Sequence, residues 1–368
     1  MKDNYAIIMA GGIGSRFWPL SRPDKPKQFL DILGTGETLL QQTFHRFREL
    51  CPVDNIFVVT NNEHKELVQK QLGIKPERIL CEPVRRNTAP CIAYGTFKIL
   101  KENENAVIAV SPADHIIGRQ KLFEDVVLSG FAFAQANDAL ITIGIQPDKP
   151  ETGYGYIRAD RKSPLDDGGN LFKVKSFTEK PDIRRARRFL KSGDYFWNSG
   201  IFIWNAGSIV KAFDQFLPDV SSVFRENMSL LGTPQENGFI AEAYPSFKAV
   251  SIDYGIMEKA GNVYVITADP GWSDLGTWSS LYSHTLPDNN RNSTVNGYAY
   301  TFDSTDNLIS VTPGKKVLLQ GLHDYIVVET EDALLIVRRQ DEQNIKKYLE
   351  QISNPRALAW GQTKKANG

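Results

Sequence analysis

An α/β fold, a doubly wound and mostly parallel sheet with a small β-rich domain at its C-terminal side, is predicted by three features of the sequence. Short apolar runs alternate with segments of helical spacing through the first half of the chain. The first run ends directly in a glycine-rich loop, and in sheets of this kind ligands bind in the crevice beyond the carboxyl ends of the strands. Past residue 290 the texture changes to closely set β-rich runs.

The apolar runs 5–10, 55–60, 78–81, 106–110 and 139–145 read as strands. Between them Leu40, Phe44 and Phe47 fall at i, i+4 and i+7, and Leu122, Val126 and Phe133 share one face of another helix. Strand–helix alternation of this kind places helices on both faces of a parallel sheet. From about Thr152, extended pieces at 155–158, 171–178 and 200–204 are separated by helices at 182–191 and 206–216, which extends the sheet and closes one side of the crevice. After Asn289-Asn290, β-runs at 297–301, 316–319, 325–329 and 333–337 precede a helix at 340–351. The division is a main domain over 1–290, a small β-rich domain ending in a helix over 291–353, and a polar tail over 354–368.

Composition narrows the function classes. The 43 basic and 43 acidic side chains cancel, so there is no general electrostatic reason for nucleic acid or an anionic membrane as partner, and any anion site is local. No run approaches the ~18 apolar residues of a membrane span, and the first run is too short for a signal-peptide core, which points to a soluble, cytoplasmic protein. Cys51, Cys81 and Cys91 lack C-x-x-C spacing and sit among apolar neighbours, which argues against disulfides and zinc.

The first strand runs into Gly11-Gly12-Ile13-Gly14-Ser15-Arg16, where missing Cβ atoms let backbone N–H groups approach a ligand. The third glycine of the dinucleotide fingerprint is absent at Phe17, and no Gly-Lys-Ser/Thr of a Walker loop follows. By itself such a turn serves equally well as a phosphate cradle or as tight packing. The cations that follow, Arg16, Arg22, Lys25 and Lys27, favour the cradle, because an Arg fork and a Lys point charge suit a triphosphate. Asp114 follows the strand at 106–110 and offers a carboxylate to a hard cation such as Mg2+. In the segment from Glu82 to Pro90, Arg86, Asn87 and Thr88 can face a purine edge or simply cap a helix starting near Thr88.

Gly11-Gly12-x-Gly14-x-Arg16 with Pro26-Lys27 resembles the signature of the sugar nucleotidyltransferases, and 17–22 with 27–30 is similar to their mannose-1-phosphate guanylyltransferase branch. Further blocks match in order: Glu82-Pro83-x-x-Arg86-Asn87-Thr88, Ser111-Pro112-Ala113-Asp114-His115, Phe177-x-Glu179-Lys180-Pro181 and Trp197-Asn198-Ser199-Gly200. The resemblance covers 5 to about 285 and implies a Rossmann-like, GT-A type sheet. It implies nucleotide contacts at Gly11, Gly12, Gly14, Ser15, Glu82, Arg86, Asn87 and Thr88. It implies sugar-phosphate contacts at Gly153, Tyr154, Glu179, Lys180, Asn198 and Asp253, and Mg2+ on Asp114 and Asp274. Read without it, Asp274 is a helix N-cap, Gly153 and Gly155 mark a bulged strand, Glu179 belongs to a surface ion pair, and His115 stays open between base, ligand and structural hydrogen bonding.

No Gly-x-Ser-x-Gly elbow or Cys–His pair offers a covalent nucleophile. The resemblance therefore implies direct, in-line transfer of GMP from GTP to mannose 1-phosphate, with Arg16, Lys27 and Asp114 catalytic. The rivals are the same chemistry on another sugar phosphate or nucleotide, a non-catalytic nucleotide-sugar-binding relative, and a glycosyltransferase, the last lacking its Asp-x-Asp clamp. The β-rich segment resembles the short β-helical appendage of the family, and a homodimer is expected. No isomerase domain is expected after it.

Overall fold

The computed structural model of the chain describes residues 2–12, 14–166 and 168–352. The side chain of Ser15 and the expected tail 354–368 lie outside the described residues. The chain forms two compact units, one of Met1–Gly11 with Leu40–Asp274, the other of Gly12–Leu39 with the chain from Leu275 onward.

The strands of the first unit are β1 (Asn4–Met9), β2 (Ile56–Asn61), β3 (Ile79–Glu82), β4 (Val107–Pro112), β5 (Ile116–Ile117), β6 (Leu140–Ile145), β7 (Tyr156–Ala159), β8 (Leu171–Thr178), β9 (Tyr195–Asn205), β10 (Val263–Thr267) and β11 (Trp272–Ser273). Nine of them make one sheet in the order β3-β2-β1-β4-β9-β6-β10-β8-β7, and β5 and β11 make a separate pair. The pairings β3–β2, β2–β1, β1–β4 and β6–β10 are parallel. β9 is antiparallel to both β4 and β6, and β8 and β7 are antiparallel as well. All six residues of β2 and of β6 are buried, as continuous apolar strands are when helices cover both faces.

The helices are α1 (Leu39–Arg48), α2 (Lys65–Leu72), α3 (Thr88–Glu102), α4 (Gln120–Ala136), α5 (Ile183–Ser192), α6 (Ala206–Phe216), α7 (Pro218–Glu226) and α8 (Glu236–Ala243). Their starts follow from capping chemistry. The Asp182 side chain accepts from the backbone N–H groups of Arg184 and Arg185 at α5, and Asn205 accepts from Ser208 at α6. α3 is buried from Ala89 to Ile99, and its Phe97 stacks on Phe224 of α7 at 5.3 Å between ring centroids. α3 is also tied to α8 by charge: buried Lys98 pairs with Glu236, which accepts a second hydrogen bond from Tyr94 Oη at 2.7 Å.

The second unit holds α9 (Trp278–Tyr282), opened by a capping box of Thr277 and Ser280, then β12 (Ser293–Asn296), β13 (Tyr298–Phe302), β14 (Leu308–Ser310), β15 (Lys316–Gln320), β16 (Tyr325–Glu329), β17 (Leu334–Arg338) and α10 (Ile345–Ile352). β12, β14 and β16 stack in parallel, as do β13 and β15, giving the rungs of a short β-helix around Ile309, Val311, Leu319 and Val327. The helix expected over 340–351 divides into a 3-10 turn at Arg339–Asn344 and then α10. The tighter turn is held by side-chain contacts: Arg339 Nε donates to Asp324 at 2.7 Å, and Glu342 accepts from the Ser279 N–H at 2.8 Å.

The buried Lys98–Glu236 pair sets a stability test. Lys98→Met leaves a buried carboxylate without its counter-charge and is expected to lower the unfolding free energy by roughly 3–5 kcal/mol, measured by urea denaturation. Adding Glu236→Gln should recover most of that loss.

Candidate active site

In the first unit the carboxyl ends of the strands open on a cavity of about 220 Å3. Thr88, Gly153, Tyr154, Glu179, Lys180, Asn198, Asp253 and Asp274, widely spaced in the sequence, all line it. His115 and Trp272 complete one wall.

That wall is built by the short β5–β11 ladder, in which Ile116 faces Ser273 and Ile117 faces Trp272. The pairing brings the segment that carries Asp114 alongside the one that carries Asp274. Both aspartates are half-buried. Carboxylate oxygens such as these are the donor type that a hard divalent cation prefers. Among the described residues no group of three or more His, Cys, Asp and Glu side chains gathers into a metal cage.

Trp272 Nε1 donates to His115 Nδ1 at 3.2 Å, and Tyr154 packs edge-on against Trp272 and Trp197. The Tyr154 hydroxyl donates to Asp274 Oδ1 at 2.6 Å. Burial and the Asp274 charge push the Tyr154 pKa upward, so the phenol keeps its proton and serves as a donor. Trp272 carries no role in the sequence reading; its place beside Asp274 was the only local signal for it.

Elsewhere in the lining, Asn198 Nδ2 donates to Asp253 Oδ1 at 2.8 Å. Asp253 begins a π-helical turn, Asp253–Met257, a rare local geometry often found at functional sites and without a sequence signature. Burial pushes the carboxyls of Glu179 and Asp253 upward, and at Glu179 the Asp253 charge adds to the effect. A Cβ on Gly155 would collide with Glu179 Oε2, so glycine there makes room for the carboxylate. Lys180 holds a left-handed backbone at φ 45°, a strained conformation of the kind that gathers at binding sites, and its N–H donates to Tyr154 O at 3.2 Å.

The segment from Glu82 to Thr88 serves more than one purpose. Thr88 reaches the cavity, and its Oγ1 accepts from the Ile252 N–H at 2.9 Å. Asn87, at φ 68°, caps α3 by accepting from Thr88 N. Arg86 Nη2 donates to Pro245 O at 2.5 Å, while Glu82 is buried and accepts from the Tyr244 hydroxyl. Glu82, Arg86 and Asn87 are not part of the cavity wall.

The second unit holds the basic loop. Gly14 sits at φ 60°, where a Cβ would lie 2.5 Å from the Lys27 Cβ. Lys27 is buried, with Nζ donating to Leu275 O at 2.9 Å and lying 5.7 Å from the centre of the Phe17 ring. Gln28 Nε2 donates to Gly12 O at 3.0 Å, and Arg16 is exposed. Ser15 opens a 3-10 turn over Ser15–Phe17. Arg22 clasps Asp332 with two hydrogen bonds of 2.6 Å.

Residues 5–291 match the family model described as Nucleotidyl transferase, and residues 300–352 match that of the MannoseP isomerase/GMP-like beta-helix domain. The mannose-1-phosphate guanylyltransferase ManC of Salmonella typhimurium is 37% identical over 359 residues, covering 95% of this chain and 73% of that protein. The chain belongs to the mannose-1-phosphate guanylyltransferase family. A second relative, the alginate biosynthesis protein AlgA of Pseudomonas aeruginosa, is 36% identical over 94% of this chain and 71% of its own length. The solved structure of mannose-1-phosphate geranyltransferase from Thermus thermophilus superposes with a TM-score of 0.85 at 29% identity, over 96% of this chain and 100% of that one. No helix among the described residues of this guanylyltransferase-family chain is long and apolar enough to cross a membrane.

Burial pushes the Glu82 carboxyl up to about 7, against the opposing pull of the Tyr244 hydrogen bond and of Arg85. A carboxyl with a raised folded-state pKa binds its proton more tightly folded than unfolded. Its contribution to stability is therefore complete at acidic pH and is lost as pH rises toward 7. Glu82→Gln is expected to flatten the fall in melting temperature between about pH 5 and pH 7.5 relative to the unsubstituted chain, measured by thermal unfolding across that range.

Proposed function

We propose that the chain transfers GMP from GTP to mannose 1-phosphate, giving GDP-mannose and pyrophosphate. An oxygen of the sugar phosphate forms the new bond to the α-phosphorus, and the bond from that phosphorus to the bridging oxygen of the β-phosphate breaks. The observation that carries this reading is the convergence of Glu179, Lys180, Asn198 and Asp253 with Asp274 on one cavity. Carboxylate oxygens accept from sugar hydroxyls, and Lys180 meets the phosphate. Gly153 and Tyr154 form the adjoining wall.

At the nucleotide, Gly11, Gly12, Gly14 and Ser15 present backbone to the phosphates, Glu82, Arg86, Asn87 and Thr88 form the base-side segment, and Arg16 and Lys27 offset triphosphate charge. Mg2+ held by Asp114 and Asp274 would neutralise charge on the triphosphate and help pyrophosphate leave. The residues themselves perform no covalent step; they align an anionic nucleophile that needs no activation.

Two measurements test the reading. Lys27→Ala and Asp114→Ala should each lower turnover by roughly two to three decades while the circular dichroism spectrum stays unchanged, and near-parental rates in either variant would sink the mechanism. Steady-state rates across four nucleoside triphosphates and several sugar 1-phosphates should be highest for GTP with mannose 1-phosphate. Another preferred pair would reassign the substrates, and no pyrophosphate release from any pair would leave a binding protein.

A homodimer belongs to the same proposal. The outward side of the β13–β15 ladder exposes Tyr298, Tyr300, Phe302 and Leu318 in adjacent register, a row that a second copy would cover. Light scattering should give twice the chain mass, and Leu318→Asp should shift it toward the monomer.

A further inference from the structure

β9 and β6 lose register beside the cavity: Thr142 pairs with Phe202, but Gly144 pairs with Asn198. One residue of β6, Ile143, therefore spans three of β9, and Gly200 within the bulge takes φ 72°. Bulges of this kind re-aim side chains near functional sites. Here the bulge leaves two acceptors, the Asn198 side-chain oxygen and the Ile201 carbonyl, facing one hydroxyl. Thr142 Oγ1 lies 2.8 Å from Asn198 Oδ1 and 3.2 Å from Ile201 O.

Thr142 is completely buried in the middle of β6, among Leu140, Ile141, Ile143 and Ile145. A buried hydroxyl between aliphatic neighbours is costly unless its hydrogen bonds are made, and valine has the same shape without that cost. The Gly200 N–H sets which way the Asn198 amide faces, and the hydroxyl adds a second, shorter hydrogen bond that holds the same oxygen in place. With Oδ1 receiving Thr142 on one side and the Gly200 N–H at 3.2 Å on the other, Nδ2 is turned to Asp253. Asn198 and Asp253 both line the cavity, whereas Thr142 does not reach it.

We infer that Thr142 is a positioning residue for sugar-phosphate recognition, its hydroxyl locking the Asn198 amide across the β9 bulge so that Asn198 and Asp253 present one fixed donor–acceptor pair. This rests on the reading that the cavity takes mannose 1-phosphate. The role is distinct from generic core packing because it passes through a single hydrogen bond to one cavity residue.

The test uses the full chain and the variants Thr142→Val and Thr142→Ser. The valine variant is expected to raise the KM for mannose 1-phosphate roughly tenfold, the scale of one buried hydrogen bond, while the KM for GTP stays within about twofold. The serine variant, which keeps the hydroxyl and loses the methyl, should restore the parental KM even if its melting temperature is lower. Equal rises in both KM values, or a valine variant with parental kinetics, would overturn the inference. A crystal structure of the valine variant gives a readout that does not depend on the reaction. The Asn198–Asp253 contact is expected to open or to split between two side-chain orientations, and an unchanged contact would overturn the inference. If the unsubstituted chain does not turn over mannose 1-phosphate, the proposed reaction fails, and this structural comparison still decides the role of Thr142.

Discussion

The first unit depends on a single strand being hydrogen-bonded along both edges. β9 meets β6 along one edge and, along the other, β7 at its N-terminal half and β4 at its C-terminal half, joining the parallel ladder β3-β2-β1-β4 to the mixed strands beyond it. Its C-terminal half places Phe202 and Trp204 in the core, and its N-terminal half carries Asn198 to the cavity. An interior strand anchored in this way opens only with much of the domain, so cavity groups on it are held as firmly as the core itself. The bulge between Asn198 and Phe202 changes the direction of side chains without surrendering that anchorage.

The cavity uses charge differently from the basic loop. Glu179 and Asp253 are half-buried on one cavity wall, and the loss of solvent raises both carboxyls. Lys180 brings a mostly exposed cation to the same rim, 3.5 Å from Glu179. In the second unit Lys27 is buried and fastened to a carbonyl, while Arg16 is exposed. A chain with no net charge thus keeps its cations and carboxylates in local groupings, as the balanced composition required of any anion site.

Much of this was legible in the sequence because it rests on local rules. Apolar runs marked β1, β2, β4 and β6, and the helix expected from 182 begins there because the Asp182 cap is a short-range interaction. The blocks around Glu179, Asn198 and Asp274 were visible as patterns, and the cavity gathers one or more residues from each. Thr142 was not legible, since a threonine in a buried strand has no pattern and its partner lies across a bulge. Trp272 acquires meaning only from His115 and Tyr154, which meet it through the fold. The antiparallel insertion of β9 also escaped, because strand direction depends on how the chain returns and leaves little trace in a short apolar run. The break in the helix at 340–351 had the same origin, in contacts of Arg339 and Glu342 with distant residues.

The close approach of Gly155 to Glu179 bears on how such a pocket changes over evolutionary time or in the hands of an engineer. No side chain fits at 155 while the glutamate keeps its length and direction, since a Cβ there would also lie 3.2 Å from the Asn198 Cβ. A side chain at 155 requires the Glu179 carboxylate to turn aside and the Asn198 Cβ and Phe177 ring to give by a few tenths of an ångström. The two positions are therefore coupled: a substitution at 155 redirects the carboxylate at 179, so each changes what the other can present to the cavity.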